Sequence, residues 1–150
     1  AMGVERGYLL IILTAFIGVS GFASAPFYAI LVTFVGSGEF NIFLLAVAVA
    51  PARAFGDALF FLLGHKGHSA AGSPRLRAFS TWLSGRPDWS IPVIAYLYTA
   101  LTPLPQDLLM VLLGLGKARF GKVIVAVILG NATFVLLVSL AATGIAPLIF

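Results

Sequence analysis

The chain has 150 residues, of which 61% are hydrophobic and only 9% are charged, whereas about 25% of the residues of a soluble domain are charged. This composition excludes a soluble globular domain, and since each bilayer crossing takes about 20 apolar residues, we predict one small membrane domain over residues 1–150. The net charge of +4 indicates orientation against an anionic leaflet, and we expect no nucleic-acid partner. The absence of cysteine excludes thiolate catalysis, disulfide bonds and cysteine-based metal sites.

The first apolar stretch, residues 8–35, would be about 42 Å long as one helix, which is too long for a single crossing without a strong tilt. Residues 21–26 interrupt it with glycine, small side chains and Pro26, a combination typical of a helix break. Two arms of about 13 residues each have the length of a re-entrant hairpin, which dips into the bilayer and returns to the same face. After a polar turn that contains Glu39, residues 42–63 predict a full-length transmembrane helix.

Residues 64–90 form the only long polar connector in the sequence. Within it, Ser73 and Pro74 fit the N-cap and first position of a helix, and Gly85 fits the position just after a helix end. Apolar side chains recur at helical spacing between these residues, so one interpretation is a short helix that lies in the membrane interface. The other interpretation is a solvated loop that contains a few aromatic residues.

The second half of the sequence shows the same pattern. Residues 91–115 are apolar and are broken at 102–105, which includes Pro103 and Pro105. Residues 123–142 then predict a second full-length span. Each half therefore combines a broken apolar stretch with one complete crossing.

The two halves also match locally. Residues 56–63 align with residues 130–137, with identity at the glycine, the alanine, the phenylalanine and the last two leucines. This match indicates an internal repeat of the transporter type, although two leucine-rich segments can also resemble each other by chance. We divide the domain into repeat 1 at about 7–67, an interfacial connector at 68–90 and repeat 2 at about 91–142.

The basic residues set the expected orientation. If residues 91–115 crossed the bilayer as one span, the basic residues at 117–122 would lie opposite the basic connector, against the positive-inside rule. With both broken stretches re-entrant, Arg6 is the one basic residue expected outside, and Arg53 the one expected within the membrane. We therefore predict an all-α integral membrane protein made of two inverted repeats, each a re-entrant helical hairpin plus a transmembrane helix.

Polar residues inside the membrane segments are the candidate site. Arg53 and Asp57 are four residues apart on one helix face, so they form either a structural ion pair or a site that binds an anionic headgroup. Asp107 follows the second break, where a helix N-terminus favours a carboxylate. Asn131 aligns with Asp57 and is assigned to the same headgroup site. Asp57, Asp107 and Glu39 are the candidate proton-coupling groups, and Glu39 is otherwise an ordinary exposed acid.

No other motif in the sequence predicts chemistry. His65 and His68 lie in a polar segment without a third ligand nearby, so we expect no metal site and no cofactor. Residues 116–122 fit a phosphate-binding loop, but Val123 replaces the required serine or threonine and no strand precedes the loop. The polar residues supply no arrangement of nucleophile, base and metal, so we do not expect an enzyme.

Two segments resemble the DedA superfamily, also called the VTT-domain or SNARE-associated Golgi protein family. The first is residues 55–67, which begin Phe-Gly-Asp and end Gly-His-Lys-Gly. The second is residues 103–107, Pro-Leu-Pro-Gln-Asp, with Gly114 and Phe120 beyond them. The chain departs from the family at 25–28, where many members carry an acidic residue, and before the second hairpin's proline, where many members carry an arginine.

The resemblance implies two oppositely oriented re-entrant hairpins with adjoining spans, in a minimal member that assembles as a homodimer. It also implies translocation of lipids or polyprenyl-phosphate carriers, by a scramblase or a proton-linked flippase. We expect the location to be a prokaryotic cytoplasmic (inner) membrane.

The leading hypothesis is a lipid or lipid-phosphate translocator, whose partners are membrane lipids with anionic headgroups. In this hypothesis Arg53 binds phosphate, Asp57 and Asp107 modulate the charge by protonation, and the two hairpins gate alternately. The alternatives are a small-ion or drug transporter, in which the same carboxylates bind cations, and a membrane assembly protein that transports nothing.

Overall fold

The computed structural model describes residues 3–17, 24–67, 74–104 and 106–149, and this part of the chain contains helices and no strand. The all-α class is confirmed. The helices of the described residues are α1 (Val4–Ile17), α2 (Ser24–Gly36), α3 (Ile42–Gly67), α4 (Pro74–Ser84), α5 (Ser90–Leu101), α6 (Asp107–Leu115) and α7 (Phe120–Ile149).

By length and composition, α3 and α7 could each cross a bilayer. They contain the spans predicted at 42–63 and 123–142, and both helices extend beyond these bounds. The thickness of the hydrocarbon core limits the membrane-crossing part of a helix, but the helix itself can continue outside that core. Large apolar side chains stay exposed along both helices, including Phe43 and Val47 on α3 and Leu129 on α7. Such a surface suits hydrocarbon better than water.

The first predicted break lies between α1 and α2. Residues 18–23, which include most of the predicted break, lie outside the described residues. Pro26 occupies the first turn of α2, so its assignment to the break itself is wrong. Proline is tolerated in a first turn because the N–H that it lacks would have no helical partner there.

The second predicted break lies between α5 and α6. Thr102 is extended, with φ −113° and ψ 132°, as expected for a residue that precedes a proline. Pro103 lies in the non-helical segment, as predicted, whereas Pro105 lies outside the described residues. The helix resumes at Asp107.

The polar connector contains a helix rather than only a loop. α4 begins at Pro74 and ends just before Gly85, as the capping pattern predicts. Leu83 is buried against the remainder of the fold, whereas Trp82 is half exposed. The choice between a helix and a solvated loop is therefore resolved in favour of the helix.

The two short helices of each half run antiparallel. The hydroxyl of Tyr8 on α1 accepts a hydrogen bond from the backbone N–H of Asn41, which follows α2 (3.1 Å). Asp88, before α5, forms an ion pair of 2.7 Å with Arg119, after α6. Each pair of helices therefore begins and ends at the same end of the bundle.

The long helices α3 and α7 are also antiparallel, since the rings of Phe61 and Phe120 lie 5.3 Å apart although these residues are at opposite ends of their helices. The short helices divide between them. α1 and α6 pack along α3, whereas α5 and α2 pack along α7. In each half the first short helix thus contacts its own long helix, and the second contacts the long helix of the other half.

Two apolar cores flank the middle of the bundle. One includes Leu45 and Val49 of α3 together with residues of α1, α2 and α7. The other includes Ala54 and Phe61 of α3 together with residues of α4 to α7. The cores meet on α3 between Val49 and Ala54, and Arg53 lies at this junction.

Glycines allow a close approach of α3 and α6. A Cβ atom at Gly114 would overlap the carbonyl oxygen of Phe61, and one at Gly64 would overlap the backbone of Val111. Backbone atoms cannot turn aside as the end of a flexible side chain can. Larger residues at these two positions would therefore force the helices apart.

Substitution Gly114→Ala is expected to lower the free energy of unfolding by about 1–3 kcal/mol, because it overpacks the α3–α6 contact. Thermal unfolding in detergent measures the change. Gly144→Ala is the matched control, since its Cβ would meet nothing within 4 Å, and alanine should favour the helix there by about 1 kcal/mol. Equal melting temperatures for the two variants would contradict the close contact.

Candidate functional site

Four polar side chains are buried together at the junction of the two apolar cores. Arg53 and Asp57 come from α3, Asn131 comes from α7, and Gln106 comes from the break before α6. Their exposed fractions are 5%, 2%, 1% and 4%, in that order. We call these four residues the polar cluster. Because buried polar groups cost free energy unless they are hydrogen bonded, the pattern of bonds within the cluster is informative.

The amide of Asn131 joins the other three members. Its Oδ1 accepts hydrogen bonds from Arg53 Nε (3.3 Å) and Gln106 Nε2 (3.2 Å). Its Nδ2 donates to Asp57 Oδ2 (3.2 Å). One side chain therefore uses its donor and its acceptor to connect both long helices with the second break.

The guanidinium of Arg53 also contacts the beginning of α2, just after the first break. Its Cζ lies 4.9 Å from the ring centroid of Phe27 and 5.7 Å from that of Tyr28. Aromatic faces attract cations at such distances, and more strongly where water is excluded. Phe27 is fully buried. The polar cluster is thus bounded on one side by the residues after the first break and on the other by Gln106 of the second.

Two atoms of the polar cluster have no hydrogen-bond partner among the described residues. They are Arg53 Nη1, a cationic donor, and Gln106 Oε1, an acceptor. Buried polar atoms in folded proteins are nearly always hydrogen bonded. A charged donor of this kind has the chemistry to bind an anionic oxygen, such as that of a phosphate.

The structure brings together three of the residues that the sequence assigns to the site, namely Arg53, Asp57 and Asn131. In the described part of the chain Arg53 and Asp57 make no direct ion pair, so that interpretation is corrected. Their spacing does place both on one helix face, but the amide of Asn131 bridges them and takes a hydrogen bond from one and gives one to the other.

Two further predicted residues are not members of the polar cluster, although Asp107 adjoins it. Asp107 is the first residue of α6 and is half-buried beside Gln106, as its assignment to a first turn predicts. Glu39 is exposed in the turn before α3. Even Ile42, the first residue of α3, lies about 22 Å from Asp57 along the helix axis at 1.5 Å per residue, so Glu39, which precedes α3, is not part of the polar cluster.

Sequence reasoning did not assign Gln106 to the site. The available signal was a polar amide directly after the second break, in a stretch that is otherwise apolar. It also did not assign Phe27 and Tyr28, which read as ordinary apolar positions. Their contacts with Arg53 depend on how α2 crosses the long helices.

Comparisons of the chain with protein-family models, with curated proteins and with solved structures found no match.

Proposed function

We propose that this protein is a membrane transporter that translocates lipids with phosphate-bearing headgroups, including polyprenyl-phosphate-type carriers. The observation that carries the proposal is the buried guanidinium of Arg53, whose Nη1 has no partner among the described residues. It contacts the start of α2 and shares the Oδ1 atom of Asn131 with Gln106 of the second break. A cation held at depth in a membrane domain suits an anionic headgroup. The resemblance of residues 55–67 and 103–107 to the DedA superfamily supports the same substrate class.

In this proposal the two pairs of short helices are re-entrant hairpins. α1 and α2 contain 14 and 13 residues, and α5 and α6 contain 12 and 9. At 1.5 Å per residue the longest measures about 21 Å, less than the roughly 30 Å of a hydrocarbon core. Since each pair begins and ends at one end of the bundle, it would turn within the bilayer and leave its break at depth.

The two halves would form inverted repeats. Exchanging α1 with α5, α2 with α6 and α3 with α7 converts the α1–α3 contact into α5–α7 and the α2–α7 contact into α6–α3, as an internal two-fold axis requires. The pairs α1–α2 and α5–α6 differ, since α1 and α2 pack together more closely than α5 and α6 do. Asp57 and Asn131 are equivalent in the repeat alignment and are hydrogen bonded to each other. Equivalent positions contact each other where a two-fold axis passes between them, so this contact supports an axis through the polar cluster.

Arg53 would bind the phosphate of the headgroup, while Asp57 and Asp107 would change the charge of the site by taking up protons. The headgroup would then pass between the two breaks while the lipid tail remains in hydrocarbon. The hairpins would open alternately toward the two faces, as in transporters built from inverted repeats.

The distribution of charge supports an orientation. Lys117, Arg119 and Lys122 lie at the end where α6 stops and α7 starts, whereas Arg6 lies at the opposite end, beside Tyr8. The positive-inside rule would place the former end in the cytoplasm. We propose the cytoplasmic membrane of a prokaryote as the location and a homodimer as the assembly, in which a second copy covers part of the exposed apolar surface.

Reconstitution into proteoliposomes tests the function. The vesicles would carry fluorescent phosphatidylglycerol or a fluorescent polyprenyl phosphate in both leaflets, at two pH values. We expect an impermeant reductant to bleach the inner-leaflet label faster than in protein-free vesicles. Equal rates with and without protein would contradict the proposal, and cation flux without lipid movement would indicate the ion-transport alternative.

A further inference from the structure

Two adjoining cavities lie at the basic end of the bundle, apart from the polar cluster. They occur where α4 covers the space between α5 and α6. These two helices diverge, because α5 packs along α7 while α6 packs along α3. None of the four residues of the polar cluster lines either cavity.

The first cavity is apolar and has a volume of about 200 Å³. Its walls come from α4, α5 and α6. The lining side chains are Phe79, Trp82, Leu83, Arg86, Ile91, Ile94, Leu109, Leu112 and Leu113. A hydrocarbon chain matches this lining, since Arg86 is its only charged member.

The second cavity is polar and has a volume of about 310 Å³. Arg86, Lys117 and Arg119 line it together with one acid, Asp88. Asp88 already pairs with Arg119 at 2.7 Å, and also with Lys122 at 3.4 Å. The cavity therefore keeps an excess of positive charge, which matches an anionic group.

The two cavities share a wall made of Leu83, Arg86 and Ile91. The guanidinium of Arg86 lies 4.4 Å from the centre of the Trp82 ring, which fixes the cation at the boundary between the apolar and the basic space. Trp82 and Trp89 are the two tryptophans of the chain, and both are exposed at this level. Tryptophan is enriched at the membrane–water interface, and in a bilayer this would place the boundary at the depth where a lipid's phosphate meets its chains.

The backbone at Lys117 is a second, independent indication that its side chain is used. Its φ is 59°, a left-handed conformation that glycine adopts with much less strain. Lys117 N–H and Ala118 N–H bond to the carbonyls of Gly114 and Leu113, both at 3.0 Å, and this Schellman motif usually carries glycine at the position of Lys117. Lysine at this position therefore strains the backbone, and because its side chain lines the basic cavity, the strain points to a role for that side chain.

We propose that the paired cavities bind one anionic glycerophospholipid, with its phosphate among Arg86, Lys117 and Arg119 and part of an acyl chain in the apolar cavity. This lipid would be a resident of the protein and would hold α4 against the diverging helices of the second hairpin. The proposal needs the chain to lie in a bilayer, but it does not depend on transport.

Quenching of Trp82 by brominated lipid tests the proposal. In the variant Trp89→Phe, Trp82 is the only remaining tryptophan. This protein would be placed in nanodiscs of phosphatidylcholine with increasing fractions of chain-brominated phosphatidylglycerol or chain-brominated phosphatidylcholine. We expect half-quenching at an about thirtyfold lower fraction of the anionic lipid, the preference expected from about 1 kcal/mol for each of the two lining basic residues that Asp88 leaves unneutralised, Arg86 and Lys117.

Lys117→Gly is the decisive variant, because it relieves the strain of the left-handed backbone conformation and also removes the positive charge. We expect it to lower the preference for phosphatidylglycerol about fivefold, the share of one basic residue, and to melt at the same or a higher temperature than the parent. Lys117→Gln should lower the preference by the same factor while keeping the backbone strain, and Lys117→Arg should keep the parental preference. Arg6→Gln, which removes one charge at the other end of the chain, is the matched control and should also retain it.

Three results would overturn the proposal. The first is equal quenching by the two brominated lipids in the parent protein, and the second is an unchanged preference in Lys117→Gly. The third is no quenching by either lipid, which would mean that protein, such as a second copy, fills the cavity. A protein that shows the preference but moves no lipid in proteoliposomes would support this site while contradicting the proposed function.

Discussion

Replacement of Arg53 by glutamine is expected to slow the movement of phosphate-bearing lipids about ten- to a hundredfold while the protein stays folded. The introduced amide can still donate to Asn131 Oδ1, as Arg53 Nε does. It supplies no positive charge, however, and hydrogen bonds to charged groups contribute about 1.5–3 kcal/mol. That loss corresponds to the expected change in rate if the contact forms as the headgroup passes.

The comparison needs a variant that removes the same charge elsewhere. Arg6→Gln does so at an exposed position of α1 and should transport at the parental rate. Thermal unfolding of both variants in detergent would separate a transport defect from a folding defect. A parental transport rate in folded Arg53→Gln would show that the guanidinium does not bind the moving headgroup.

Substitution Asn131→Asp is expected to destabilise the protein by about 3–5 kcal/mol, the range found when a buried charge lacks its partner. The introduced carboxylate would replace the amide that donates to Asp57 Oδ2 at 3.2 Å. Two buried carboxylates would then face each other. Thermal unfolding in detergent, at a pH where both groups are ionised, measures the loss.

The double variant Asp57→Asn with Asn131→Asp should recover most of that loss. The carboxylate at position 131 would accept from Arg53 and Gln106, and the amide at position 57 would donate to it. The net charge of the polar cluster is unchanged, and the exchange merely swaps the two equivalent positions of the repeat. A double variant no more stable than Asn131→Asp alone would argue against the hydrogen bond between positions 57 and 131.

The second helix break could be predicted because its chemistry is local. Thr102 is extended because the next residue is proline, and the effect needs no other part of the fold. The exact position of Pro26 could not be predicted in the same way, since proline is suited both to a break and to the first turn of the helix that follows it.

Part of the candidate site also follows from sequence. Arg53 and Asp57 share a face through their spacing, and Asn131 is identified through its alignment with Asp57. The bridge among them could not be predicted, since it depends on how closely α3 and α7 pack. Gln106 and Asn131 are 25 residues apart in the chain, and sequence periodicity does not predict contacts between residues so far apart.

The most direct test introduces single cysteines and measures from which side of the membrane each one can be labelled. It asks whether the hairpins turn back within the bilayer and whether the two halves have opposite orientations. The chain has no cysteine, so Gly3→Cys, Leu104→Cys and Lys117→Cys each provide one site for an impermeant maleimide. We expect labelling of sealed right-side-out vesicles at position 3, and labelling at position 117 only after permeabilisation. The side chain of Leu104 is 56% exposed in the fold, so only hydrocarbon would protect it, and we expect no labelling from either side. Labelling of positions 3 and 117 from the same side, or ready labelling of position 104, would contradict the account.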